Sequence, residues 1–337
     1  MKLVNQQITS SMSQSISLLK GLAIFSVICA HCNTVPENAN GFVHACSRLL
    51  ANLGTVGVIC FFIISGFLFR CESKKTFFSK RLVALGAPWI IGSVAVYLYV
   101  ALRNPPLSLS GFLNFMIGNG SYFYYLTILF LFYLTFAFVP FLKRTIPLLV
   151  LIVTGIVSGL LFSDGTFITP TPYLNYFNWV GYFALGVLIR TYLKSFVILF
   201  EKLHKLRFCI YVAYLIILTY QIITAQNGYY FGFPEMFFAW CGAISFLLLS
   251  VDIKEIKCIP LKRALQSSGD SSLFIYIWHM PIAGIIANLF SYHPFTVLVI
   301  VRPFVVLAIV LFAGFLANFI LRKIDRKKLG IMIGLRG

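Results

Sequence analysis

The stretch Ser17-Leu-Leu-Lys-Gly-Leu-Ala-Ile-Phe-Ser-Val-Ile-Cys-Ala-His31 is an apolar run with one cation near its start and one imidazole at its end. With its flanks it predicts a membrane-spanning helix over 16–34, since a span needs about 20 apolar residues. A Lys inside such a span costs about 2.5–3.5 kcal/mol at mid-helix on insertion scales, so Lys20 and His31 are the first functional candidates. They stand eleven residues apart, about 16 Å along a helix axis, or half the hydrocarbon thickness. A mechanism using both would act along the bilayer normal.

The rest of the 337 residues extends this reading. A hydrophobic content of 60%, charged residues at 11% and a mean hydropathy of +0.92 exclude a soluble globular domain. The pattern predicts an all-α polytopic membrane protein. Ten spans are expected, over 16–34, 48–69, 82–102, 122–142, 146–163, 175–193, 207–225, 233–250, 271–290 and 295–321. A net charge of +18 would suggest nucleic acid in a soluble chain. Here the basic residues sit in short loops between apolar runs and act as topology signals, so no nucleic-acid partner is expected. Of the 27 Lys and Arg, 23 fall on the termini and even-numbered connections, with only Arg48, Arg103 and Arg302 on the others. Both termini are therefore expected in the cytoplasm, with Lys20 near the inner face and His31 in the outer half.

The first apolar run lacks a small-residue cleavage site and reads as a retained span, not a signal peptide. No repeat, low-complexity tract or long polar run interrupts the chain, so a single membrane domain over 1–337 is expected, with the bundle over 16–321. Segment 104–120 is too short to span and reads as an interfacial or re-entrant piece on the outer side. Cys29 and Cys32 flank His31 without a visible fourth ligand, and no metal site is expected. Cys32 and Cys46 fall on the same outer side, where an oxidising compartment would let them pair.

Three stretches then bear together: Lys20-x10-His31; Gly54-Thr-Val-Gly-Val-Ile-Cys-Phe-Phe-Ile-Ile-Ser-Gly-Phe-Leu68; and Ser271-Ser-Leu-Phe-Ile-Tyr-Ile-Trp-His279-Met-Pro-Ile282. Each resembles a motif of the membrane acyltransferase-3 family, in family order. Phe78-Ser-Lys-Arg81 with Pro88-Trp89, Tyr125 to Tyr133 ending at Pro140, and Tyr182-Phe-Ala-Leu-Gly186 are fainter echoes. The resemblance implies an acyl-CoA-dependent O-acyltransferase that moves an acyl group, often acetyl from acetyl-CoA, to a hydroxyl of a polysaccharide, cell-surface glycan or lipid-linked sugar. It implies a multi-pass protein of the plasma membrane, the bacterial inner membrane. Two departures stand out: Lys20 replaces the family's Arg, and Ala84 stands where an Arg-x-x-Arg pair would place a second Arg after Arg81. Both remove guanidinium forks suited to bidentate phosphate contacts. No fused extracellular esterase-like domain is expected, so the membrane domain itself would reach the acceptor.

The residues suit that chemistry on their own terms. A sugar hydroxyl attacks a thioester poorly unless a base takes its proton, and an imidazole titrating near pH 6.5 fits that task. His31 is the candidate general base, against the alternative of a hydrogen bond to a neighbouring helix. Lys20, Lys80 and Arg81 are candidates to hold the CoA phosphates; the alternatives are snorkelling for Lys20 and topology for the other two. Tyr276, His279 and Ser65 are candidate supporting groups, with His279 expected toward the cytoplasmic half of its span. Ser65-Gly66 equally suits close helix approach. His44, His204 and His293 read as solvated. A secondary transporter or exporter of a small polar or glycan-related solute stays open, because it too places ionisable groups in mid-span.

Overall fold

The computed structural model describes residues 10–70, 82–102, 107–164, 171–226, 228–291, 294–323 and 327–335. All regular structure among them is helical. In chain order the helices are α1 (Ser10–His31), α2 (Gly41–Phe67), α3 (Ala87–Ala101, entered through a π-helical turn), α4 (Leu109–Ile117), α5 (Tyr124–Phe138), α6 (Thr145–Leu161) and α7 (Tyr176–Thr191). Then follow α8 (Leu193–Lys205), α9 (Arg207–Ile223), α10 (Glu235–Glu255), α11 (Ile259–Asp270), α12 (Ser272–Ser291), α13 (Arg302–Lys323) and α14 (Lys327–Met332). Among the described residues, six helical stretches are long and apolar enough to cross a membrane, and a seventh arises if α7 and α8 count as one broken span. This is an all-α multi-pass membrane protein. Each of the ten apolar runs carries a helix, but α5, α6, α7 and α9 have only 15–17 residues, roughly 22–26 Å against a hydrocarbon core of about 30 Å.

α2 is the hub, packing against α1, α7, α9 and α10. Its glycines set how close those neighbours come. A Cβ on Gly54 would collide with Ala30 and one on Gly57 with the carbonyl of Ala23, both on α1. A Cβ on Gly66 would strike the carbonyl of Phe183, and one on Gly186 that of Ile63, so α2 and α7 cross backbone to backbone. Small residues at such crossings let helices gain packing energy where lipid offers no hydrophobic drive. Ser26 Oγ donates to the carbonyl of Leu53 at 2.7 Å and stitches α1 to α2. Between α2, α5 and α7, Phe62, Phe132, Trp179 and Phe183 interlock with no exposure, Phe62 lying 5.2 Å from Trp179 and 5.4 Å from Phe132.

Several boundaries differ from expectation, each for a local reason. α1 begins at Ser10, ahead of the expected span over 16–34, because Ser17 bonds the Asp270 carboxylate at 2.6 Å and Ser13 and Gln14 line the same polar groove against α11. α2 begins at Gly41, where the Asn40 side chain caps the Val43 amide at 3.0 Å. Arg48 therefore lies inside α2 and donates to the Ile222 carbonyl at 3.3 Å. Three helices were not expected at all, the short α14 past the last run among them. α8 turns by 104° from α7, and α11 occupies the gap between the eighth and ninth runs. α4, within segment 104–120, folds back along α3: Tyr97 on α3 bonds Ser108, and Trp89 Nε1 donates to Met116 at 3.0 Å. His204 is not simply solvated, since it bonds Asp252 at 2.7 Å. His293 lies outside the described residues.

Candidate active site

The site starts from a crossing of α1 and α11. A Cβ on Gly21 would collide with the Leu265 carbonyl and one on Gly269 with the Ser17 carbonyl, so the two backbones touch. His31 and His279 each stand ten residues beyond their glycine, about 15 Å up helices leaving the same point. The two imidazoles meet with ring centroids 5.1 Å apart and planes inclined at 49°. His279 therefore stands level with His31 at the end of α1, and not nearer the Lys20 end as its place in the ninth run suggested. The α1–α11 crossing sets the register, and a single helix's sequence carries no record of it.

The neighbours fix His279. Its Nδ1 lies 2.7 Å from the Tyr276 carbonyl and 3.1 Å from that of Ile275. Carbonyls only accept, so Nδ1 carries the hydrogen and a neutral ring has its lone pair on Nε2. Pro281, two residues on, interrupts the ladder inside α12. Lacking an N–H, it frees the carbonyl four residues back, at Ile277. The Tyr122 hydroxyl donates to that carbonyl at 2.6 Å, and the Tyr276 hydroxyl donates in turn to the Tyr122 carbonyl. Tyr122 thereby stands 5.3 Å from the His279 ring and 6.3 Å from that of His31. Tyr122 is not among the candidates that the sequence singles out. The signal was Pro281, whose orphaned carbonyl in a membrane span must find a donor elsewhere.

His31, at the last position of α1, is half-buried, whereas His279 has no exposure. The reachable ring is thus backed by a sealed one. Arg302, buried at the start of α13, donates from Nη1 to the carbonyl of Thr34, three residues past His31, and holds the end of α1 in place.

The other candidates are not all gathered here. Tyr276 joins the pair directly, with its ring 5.9 Å from His279. Ser65 does not: its hydroxyl bonds that of Tyr125, whose ring lies 5.2 Å from Tyr276. α2 runs antiparallel to α1, so Ser65, eight residues beyond Gly57, lies toward the Lys20 end. Lys20 itself is half-buried on α1, eleven residues from His31. The rings of Tyr122, Tyr276 and Tyr125 thus follow one another at 5.6 and 5.2 Å, with Ser65 beside the last. Lys80 and Arg81 lie outside the described residues. The Cys32–Cys46 pairing is not formed: both are buried free thiols, and Cys46 packs with Cys29, Leu50 and Val299. Among the described residues no cluster of His, Cys, Asp or Glu is placed to hold a metal ion.

The acyltransferase-3 family model, described as an acyltransferase domain, matches residues 13–323. The match takes in α1 through α13, including both histidines. No curated protein and no solved structure matches the chain.

Proposed function

The chain belongs to the acyltransferase-3 family, and from that premise we propose that this membrane acyltransferase takes its acyl group, acetyl foremost, from cytoplasmic acyl-CoA and delivers it to a hydroxyl of a cell-surface or lipid-linked glycan. His31 is the general base. The acceptor oxygen attacks the thioester carbonyl, its proton passes to His31, the new C–O ester bond forms, the C–S bond breaks, and the proton leaves with the CoA thiolate as free thiol. The observation that carries this reading is the reachable His31 ring, backed at 5.1 Å by the sealed His279. Lys20 lies on the same helix toward the other face, where with Lys80 and Arg81 it would anchor the donor phosphates while the pantetheine arm reaches up the bundle.

The proposed setting is the bacterial inner membrane, with ten spans and both termini cytoplasmic. Its support is the charge asymmetry and the helix found in each of the ten apolar runs. A reporter fused after Lys328 should read cytoplasmic; a periplasmic readout would overturn the span count and the placement of Lys20 with it.

The test of function is release of CoA thiol from acetyl-CoA by the full chain in liposomes, in the presence of glycan acceptor. Replacing His31 with Gln should lower transfer by roughly 10²–10⁴-fold, because an amide keeps a hydrogen bond but takes no proton at neutral pH. A Gln variant as active as the parent would make His31 a packing residue.

A further inference from the structure

We infer that His279 is a positioning residue for His31: its Nε2 accepts the N–H of the His31 imidazole, selecting the tautomer whose other nitrogen is bare toward the acceptor hydroxyl. The inference rests on the base reading of His31 and adds to it a residue that does not touch substrate.

Three observations lead to it. Nδ1 of His279 is committed as a donor to the Tyr276 and Ile275 carbonyls, which leaves Nε2 as an acceptor. That Nε2 is fully buried and has no hydrogen-bond partner among the described residues. Beside the His279 ring stands the His31 imidazole, at a centroid distance of 5.1 Å. Two imidazoles joined by an N–H···N bond of about 2.9 Å have centroids roughly 5 Å apart, so a turn of the His31 ring closes the bond without moving either helix. An unpaired buried atom alone would mean little, since the hydroxyls of Tyr182 and Tyr214 are unpaired too. His279 differs in having a second ionisable ring within reach.

The chemical gain is twofold. A neutral imidazole is a base on one nitrogen only, and the hydrogen bond made by the other decides which. Once His31 takes the hydroxyl proton it becomes an imidazolium, and its bond to Nε2 becomes charge-assisted and stronger. The stabilisation therefore grows toward the transition state, where it raises turnover instead of donor affinity. Tyr122 and Tyr276, by bracing the Pro281 break, keep the acceptor aimed at His31.

The experiment uses two amides that mimic different nitrogens. His279→Gln places its amide near the Nε2 position and keeps an acceptor for His31, whereas His279→Asn keeps a donor near Nδ1 and loses that acceptor. Acetyl transfer from acetyl-CoA is measured at matched protein levels. It is paired with ¹⁵N-histidine solid-state NMR of the full chain in bilayers, which reads the tautomer of each ring without substrate. The expected result is a Gln variant within about fivefold of the parent, and an Asn variant down 10–100-fold in kcat with the KM for acetyl-CoA unchanged. The Asn change should also alter the His31 tautomer. If Asn matches or exceeds Gln, or if neither variant changes the His31 signals, His279 serves only the helix backbone and the inference falls. The base reading fails separately, through an active His31→Gln chain.

Discussion

Two of the buried polar clusters in this bundle are built on opposite terms. Where α6 meets α7, Asn178 has no exposure and every hydrogen-bonding position filled. Its amide donates to the carbonyls of Pro172 at 3.1 Å and Phe162 at 3.3 Å, and its oxygen accepts from Ser158 at 2.6 Å and Asn175 at 3.0 Å. Between α1 and α12, His279 is equally buried, but half its capacity is spent on backbone and half is open toward another imidazole. A closed cluster in a low-dielectric interior stabilises and specifies one packing, while an open one carries a standing cost that only use recovers. That contrast separates a structural polar site from a chemical one without reference to the family.

The largest expected effect is at the open cluster. His31→Ala should cost transfer roughly 10²–10⁴-fold while lowering the thermal midpoint of the detergent-solubilised protein only slightly, because His31 is half-buried and its loss leaves open a single neutral acceptor, His279 Nε2. Loss of the midpoint together with activity would put His31 on the structural side of the comparison.

At the closed cluster the signs reverse. Asn178→Ala strands the Ser158 hydroxyl proton and the Phe162 carbonyl, each buried unsatisfied group costing about 1–3 kcal/mol, and leaves the Asn175 amide and the Pro172 carbonyl on their weaker second bonds at 3.4 and 3.3 Å. The variant should accumulate poorly and melt early, yet its folded fraction should turn over normally. A stable Asn178→Ala chain with reduced kcat would mean that the α6–α7 cluster belongs to the chemistry.

How far the sequence could carry the comparison depended on which contacts were local. Apolar runs announce spans because the bilayer enforces backbone hydrogen bonding within each helix, so α1, α2, α10, α12 and α13 were legible from hydropathy. The polar α11, with Lys262, Arg263 and Asp270, and the amphipathic α8 gave no such signal and read as loops. Lys20 and His31 were legible because they share one helix. The level of His279 was not, since it depends on Gly21 meeting Gly269 across 248 positions of chain. The close approach that Ser65-Gly66 suits is the α2–α7 crossing, but the Ser65 contact with Tyr125 was not legible for the same reason, since neither spacing nor composition shows which face Ser65 takes. Tyr122 needed the partner of Pro281, which a single sequence does not display.

Tyr122→Phe should have a smaller effect than either cluster's core residue. It removes one hydroxyl and leaves the Ile277 carbonyl unpaired below Pro281, for a net loss of about 0.5–1.5 kcal/mol of stability plus the carbonyl's own penalty. If the hydroxyl braces the aim of His279, kcat should also fall several-fold while the KM for acetyl-CoA stays put. An effect on KM alone would move Tyr122 from bracing to donor contact.

The smallest effect is expected at Lys20, and it asks whether the open cluster's chemistry reaches down α1 to the other face. Lys and Arg both supply a cation at that depth, but Arg adds a planar fork that grips phosphate with two parallel bonds. Lys20→Arg should therefore keep activity or raise it modestly, with any gain in the KM for acetyl-CoA and none in kcat, because the contact is made equally in the ground and transition states. Lys20→Ala should raise that KM and leave kcat near the parent. The two are read against each other at low acetyl-CoA, where kcat/KM governs the rate. If the Ala variant is as active there as the parent, Lys20 only carries its charge to the inner headgroups and the donor site lies elsewhere. A fall in kcat with unchanged KM would instead couple Lys20 to the histidine pair along α1, the helix that carries both Lys20 and His31.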